Sequence, residues 1–375
     1  MALAEEGTSL AGRQAPPPQG ACGDGRRGGV PEHPWIQLVA VQMKLELEAY
    51  FSREAFAAKI GEIMDKVCRT IDPGVPALVV FPEDAGLMLV LAGMEKRLRR
   101  AAGIAQGIEA AVRALFFPAL YHRVRHRLQW VPALFYTRRK AIASSYFDVF
   151  SNAARSCGVY LVAGSVLLPP FAVEDGRVAW WRRPLAPALH NTAFLFGPDG
   201  KVIGKQDKVH LIELEREEAL HLDPGSLSSL RVYETELGRL GIAICLDGFQ
   251  DPVVEALEEQ GADILVQPSA NPKPWSPEQQ WDWLNGSYRR VAVERRFRYA
   301  VNPMMTGSIW ELEFYGQSAI VAQEGAAGGP ALGYAALGPM PGFLAVAGSD
   351  SAEEIVAVKV PHPRRQSSTV TDSPS

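Results

Sequence analysis

The order of apolar segments predicts an α/β fold in which strands are covered on one face by helices and packed on a second sheet. Two observations carry this. Short apolar strands alternate with longer helical patterns along most of the chain, and other strands meet as hairpins. The first strand is Ile36–Gln42 (IQLVAVQ), followed by a helix over about 52–70 with Phe56, Ile60, Ile63, Met64 and Val67 at helical spacing. ALVVF (77–81) is a buried strand closed by Pro82, and GVYLVAGS (158–165) is another. TAFLFG (192–197) and KVIGK (201–205) flank Pro198-Asp199-Gly200, whose fixed φ and permissive glycine suit a tight turn. RLGIAIC (239–245) reads as a strand, then a helix over about 251–260, the strand DILVQ (263–267) and a helix through about 277–297. YAVN and SAIVA add strands.

Composition bounds the function classes. With 47 % apolar and 21 % charged residues, the 375-residue chain has the balance of a globular protein with a sizeable core. A net charge of −4 gives no global attraction to nucleic acid. The four cysteines (22, 68, 157 and 245) include no C-x-x-C pair and no zinc-spaced cluster, so neither a disulfide framework nor a structural zinc is expected. That usage fits a reducing, cytoplasmic setting. No run of about 18 apolar residues is present, so no spanning helix is expected. Residues 1–33, rich in Gly, Pro and Ala, read as a disordered leader, and 362–375 as a disordered tail around one domain at 34–361.

Three side chains stand where chemistry is built. Cys245 ends an apolar strand and precedes a turn and a helix, a bend whose N–H groups favour a thiolate and a developing oxyanion. A buried core cysteine is the plainer reading of the same context. Glu83 follows a buried strand, where partial burial raises a carboxyl toward general-base range; a solvated loop acid is the alternative. Lys208 lies just past the hairpin, where its charge would stabilise an oxyanion or simply face water. His210 reads as a loop-positioning residue. There is no G-x-S-x-G elbow and no strand-to-helix G-x-G-x-x-G.

Taken in order, VVFPE (79–83), GVYLVAGS (158–165), HNTAFLFGPDGKVIGKQDKVHL (190–211), LGRLGIAICLDGFQDP (237–252), GADILVQPSA (261–270), RRVAVERRFRYAV and FYGQSAIVAQEG resemble the nitrilase superfamily of carbon–nitrogen hydrolases. The likeness runs from about Ile36 to the strand IVAVKV. It implies a four-layer αββα sandwich and a triad of Glu83 as general base, Lys208 as oxyanion stabiliser and Cys245 as nucleophile. The family's helper glutamate would lie in ELEREE (213–218), with Glu217 favoured over Glu215 and Glu218. It implies hydrolysis of an amide, carbamoyl or nitrile bond through a thioester, without metal or organic cofactor. Two departures stand out: Leu246 replaces the usual aromatic after the cysteine, and NPKPW (271–275) replaces the usual short loop.

An insert at about 86–145 separates Glu83 from GVYLVAGS. Its segment 93–140 holds eleven Lys and Arg against Glu95 and Glu109, an excess of nine, which leaves −13 for the rest of the chain. Phe116, Phe117, Tyr121, Trp130, Phe135 and Tyr136 interleave the charges. Surface helices, a lid, a contact between subunits of a homo-oligomer and a peripheral membrane contact all fit this pattern. Two readings compete with hydrolysis of a small-molecule substrate: acyl transfer to an amine, which shares the thioester, and a non-catalytic scaffold docking through the insert.

Overall fold

The computed structural model describes residues 33–216, 220–323 and 332–364. The expected leader and tail fall almost wholly outside them. Within them, one six-stranded sheet contains β1 (Trp35–Gln42), β2 (Ala77–Val80), β3 (Tyr160–Leu168), β4 (His190–Phe196) and β5 (Val202–Asp207). A second contains β6 (Val232–Thr235), β7 (Gly238–Ile242), β8 (Ile264–Val266), β9 (Tyr299–Asn302), β10 (Ala319–Ala322) and β11 (Phe343–Val346). The last strand, β12 (Glu354–Pro361), returns antiparallel to β1 along its whole length and edges the first sheet, giving the order β12-β1-β2-β3-β4-β5. The second sheet runs β11-β10-β9-β8-β7-β6.

Strand alternation divides the core. On β1, Ile36, Leu38 and Ala40 face the second sheet in one apolar cluster, while Val39 and Val41 join a separate cluster with the helices. Successive side chains of a strand point to opposite faces, so a continuous apolar strand is buried on both. Helices α1 (Arg53–Thr70) and α5 (Trp130–Cys157) cover the outer face of the first sheet. Helices α6 (Asp251–Glu259) and α7 (Pro277–Leu284) contribute Val253, Leu257 and Trp283 to the cluster of the second. The result is the αββα sandwich.

Local signals set the element ends. Ser52 caps α1, its hydroxyl accepting from the Ala55 N–H at 3.1 Å, a contact worth ~0.5–2 kcal/mol. The α1 residues expected to be apolar-facing, Phe56, Ile60, Ile63, Met64 and Val67, are all buried, at ~1.5–3 kcal/mol each. Gly158, at φ +62°, ends α5 in the left-handed region.

Three expectations need correction. The strand read as 239–245 stops at Ile242, because the chain bends to reach φ +47° at Cys245. The helix read through 297 stops at Leu284; the chain then passes so close to Gln267 that a Cβ on Gly286 would lie 3.1 Å from its amide, and resumes as a π-turn over Arg289–Val293. Third, Cys68 on α1 and Cys157 at the end of α5 form a disulfide with Cα atoms 5.8 Å apart. Eighty-nine residues separate them, so nothing in the local sequence signals the pairing. Within the insert lie α2 (Glu95–Leu98), α3 (Ile104–Ala114), α4 (Phe116–His126) and the first part of α5. No helix among the described residues is long and apolar enough to cross a membrane.

Candidate active site

Strands of both sheets deliver their ends to one buried point. Glu83 sits in the turn after β2, and Gly164 of β3 lies against that turn: a Cβ there would come within 2.0 Å of the Pro82 carbonyl. At φ +66°, Gly164 therefore has two reasons to lack a side chain. Lys208 follows β5 directly, its N–H bonded to the Asn191 carbonyl at 2.8 Å. Cys245 follows β7 on the other sheet, its own N–H donating to the Pro268 carbonyl at 2.9 Å. A non-glycine residue at φ +47° is strained, and the surrounding bonds hold it there. Gln267 is the main buttress: its amide N–H donates to the Cys245 carbonyl at 2.8 Å while its oxygen accepts from the Ser287 N–H at 2.9 Å.

The ammonium of Lys208, 1 % exposed, bridges two carboxylates, donating to Glu83 Oε1 and Glu215 Oε2 at 2.7 Å each. Asn191 Nδ2 donates to the same pair, to Glu83 at 3.0 Å and Glu215 at 2.8 Å. The Cys245 thiol lies 3.8 Å from the Ala270 carbonyl, and the Glu83 charge acts on it. The structure thus brings Glu83, Lys208 and Cys245 together. Glu217 lies outside the described residues, and the place beside the lysine is taken by Glu215. Four glutamates among six residues (213–218) have no periodicity that singles one out; what places Glu215 beside the lysine is a short 3₁₀ turn, Glu213–Glu215, whose last carboxylate also accepts from the Ile212 N–H at 3.0 Å.

Burial decides the electrostatics. It holds Glu83 above the ordinary carboxylate value of 4.5, with the Lys208 ammonium opposing and the Glu215 carboxylate adding. Burial alone would lower Lys208, but Glu83, Cys245 and Glu215 outweigh it and keep the ammonium charged well above its usual range. Burial, then the Glu83 charge, pushes the Cys245 thiol well up. A free thiolate is therefore disfavoured. A proton passing from Cys245 Sγ to Glu83 leaves the net charge of the cluster unchanged, so the low dielectric does not oppose the transfer as it opposes creating a new charge.

Three positioning residues carried no signal in the sequence: Asn191, Gln267 and Asp247. Asp247, fully buried, accepts from the Val209 N–H at 2.9 Å and the His210 N–H at 2.7 Å, and pairs with His210 Nδ1 at 3.0 Å. It fastens the segment after Lys208 to the turn after Cys245, and His210 holds the loop as expected. Asp247→Ala leaves two backbone donors without their acceptor, at ~1–3 kcal/mol each. The expected result is a lower thermal midpoint by circular dichroism together with a fall in kcat; an unchanged midpoint would show that the tether is dispensable.

The fold is an αββα sandwich that gathers a carboxylate, an ammonium and a thiol at one buried point between its two sheets. The family model for Carbon-nitrogen hydrolase matches residues 38–327, and the chain belongs to that family. Among its relatives are the omega-amidase NIT2 of Danio rerio, 32 % identical over 129 residues (33 % of this chain, 40 % of that one), and a nitrilase of Pyrococcus abyssi, 33 % identical over 126 residues (34 % and 40 %). The matched stretch thus spans about two fifths of each relative's length. Similar solved structures include Saccharomyces cerevisiae Nit3 (TM-score 0.53, 19 % identity, 88 % of this chain and 90 % of that one). The amidase of Nesterenkonia sp. AN1 in complex with acrylamide is another (0.52, 19 %, 91 % and 97 %). At such identities these two show the shared sandwich fold.

Proposed function

We propose that this chain hydrolyses a non-peptide carbon–nitrogen bond, an amide foremost, through a thioester on Cys245. The observation that carries the reading is the Lys208 ammonium set between Glu83 and Glu215, with the buried Cys245 thiol near enough for the Glu83 and Lys208 charges to act on it. Glu83 takes the thiol proton as Sγ attacks the carbonyl carbon, whose oxygen becomes an oxyanion held by Lys208 and the Leu246 N–H. Glu83 then gives that proton to the departing nitrogen, the C–N bond breaks and a thioester remains. Glu83 next removes a proton from water, which attacks the thioester carbon; the carboxylic acid leaves and Sγ recovers its proton. Glu215 keeps Lys208 in place and charged. Carbamoyl and nitrile substrates enter at the same sulfur. A panel of amides, carbamoyl compounds and nitriles scored by ammonia release tests the reading, and silence across the panel with folded protein would refute it.

The same roles fix a pH profile. Glu83 acts as base only when ionised, and its carboxyl lies above 4.5. The rate is expected to rise with pH through an acid limb displaced above that value. Cys245 and Lys208 both lie above their ordinary values of 9.0 and 10.5, so no fall is expected until well into alkaline pH. A kcat/KM profile with its acid limb at or below 4.5 would remove Glu83 as the base.

Acyl transfer to an amine shares the thioester, and product analysis with hydroxylamine present separates it from hydrolysis. As for partners, α4 exposes Phe117 (81 %), Tyr121 (62 %) and Val124 (72 %) along one face at helical spacing. We assign that face to contact between two copies, with the mass by sedimentation expected to fall for Phe117→Glu. Salt-sensitive binding to anionic vesicles with unchanged mass would instead make it a membrane contact. The cytoplasmic setting inferred from the cysteine usage rested on the absence of disulfides, and the Cys68–Cys157 disulfide favours an oxidising setting instead.

A further inference from the structure

Next to the buried cluster lies a cavity of about 200 Å³ whose wall is almost wholly apolar. Leu87, Val90, Ile108, Leu134, Leu214 and Trp310 are among its lining residues. Three features tie it to the Glu83–Lys208–Glu215 group. Leu87 is one turn from Glu83, its N–H bonded to the Asp84 carbonyl at 2.9 Å. Leu214 immediately precedes Glu215, and the loop folds back on itself through the bonds from Leu220 N–H to the Leu214 carbonyl (3.1 Å) and from Leu222 N–H to the Glu215 carbonyl (2.8 Å). The same carboxylate-bearing turn therefore faces the lysine with one residue and the cavity with its neighbour. Finally, the wall residues Leu87, Val90 and Leu134 belong to the same apolar core cluster as Ala270, whose carbonyl lies 3.8 Å from the Cys245 sulfur.

The insert walls one side of this space and is fastened there. The Glu311 carboxylate accepts from the Ile104 N–H at 3.0 and 3.1 Å, capping α3 from another element. The Trp310 indole N–H donates to the Ala101 carbonyl at 3.0 Å, and a Cβ on Gly107 would stand 2.5 Å from the Trp310 ring. Helix α3 thus sits directly on the ring that forms one wall.

We propose that this cavity is the acyl pocket, and that the substrates are amides of hydrophobic carboxylic acids carrying a single alkyl chain or one aromatic ring. The proposal rests on the hydrolase reading above. Size decides the class: an apolar cavity of ~150 Å³ accommodates benzene, whereas sites that enclose larger molecules run ~300–1,000 Å³. A wall without polar groups offers nothing to a charged or hydroxylated acyl group, whose burial there would go uncompensated.

Two measurements test it. Binding of linear primary amides, acetamide to octanamide, to the Cys245→Ala protein is followed by calorimetry, and kcat/KM for the same series is measured on the unaltered enzyme. Affinity and kcat/KM are expected to rise about fourfold per methylene, the factor that ~0.8 kcal/mol per buried CH₂ gives, and then level off once the cavity is full. Ile108→Trp, which narrows the space from the less buried α3, is expected to flatten the slope. No dependence on chain length, or a slope untouched by Ile108→Trp, overturns the assignment. Tightening with chain length but without ammonia release upholds the pocket while refuting the hydrolysis, so the two failures are distinguishable.

Discussion

Cys245→Ala is expected to lower turnover by about 10⁴-fold or more while the protein stays folded. The size follows from the role: covalent catalysis divides one hard step into two, and without the sulfur neither exists. The fold is expected to survive because the bend is held by atoms the substitution leaves in place. The Cys245 N–H still donates to Pro268 and the Cys245 carbonyl still accepts from Gln267. The measurement pairs steady-state ammonia release with a thermal scan. A mass spectrum of the unaltered enzyme quenched during turnover should also show the acyl adduct, which the variant should lack. Wild-type ammonia release by a folded variant would remove Cys245 from the mechanism.

Lys208→Ala should have the second largest effect, and a composite one. Removing the ammonium takes away the charge that meets the oxyanion, at ~10²–10³ in kcat, with KM little changed because that oxygen is charged only in the transition state. It also leaves Glu83 and Glu215 facing each other at a site where the lysine was 1 % exposed. Breaking a buried pair by deleting one partner costs about 3–5 kcal/mol. The pH dependence gives this away. Burial already holds Glu83 above its ordinary value, and losing the opposing ammonium moves it further up. A group raised on folding contributes its full stability below the unfolded value of 4.5 and loses it as pH rises through the folded one. The variant's deficit should therefore be smallest in acid and widen toward neutral pH in urea titrations. A pure KM effect would make Lys208 a substrate-binding residue instead.

The three central side chains were legible because each ends or follows a short apolar strand, and strand ends are where such folds assemble sites. Their neighbours were not. Asn191, Asp247 and Gln267 are ordinary polar residues in the sequence, and they matter only because folding encloses them with backbone groups that have no other partner. The choice among the glutamates of 213–218 stayed open for a related reason. Glu213, Glu215, Glu217 and Glu218 are chemically alike, and only the 3₁₀ turn aims one carboxylate at Lys208.

The sequence by itself determined which residues face inward, since a period of two on β1 and of three to four on α1 assigns each apolar side chain to a face without knowledge of its partner. It also determined that a glutamate, a lysine and a cysteine stand at element ends. The tertiary structure alone decided that these ends converge from two different sheets, that Cys68 meets Cys157, and that the basic insert lays α3 on Trp310 over an apolar cavity. Those are contacts between segments up to about two hundred residues apart, such as Trp310 with Ala101. Periodicity describes a segment's own geometry and carries no information about which distant segment will complete its surface.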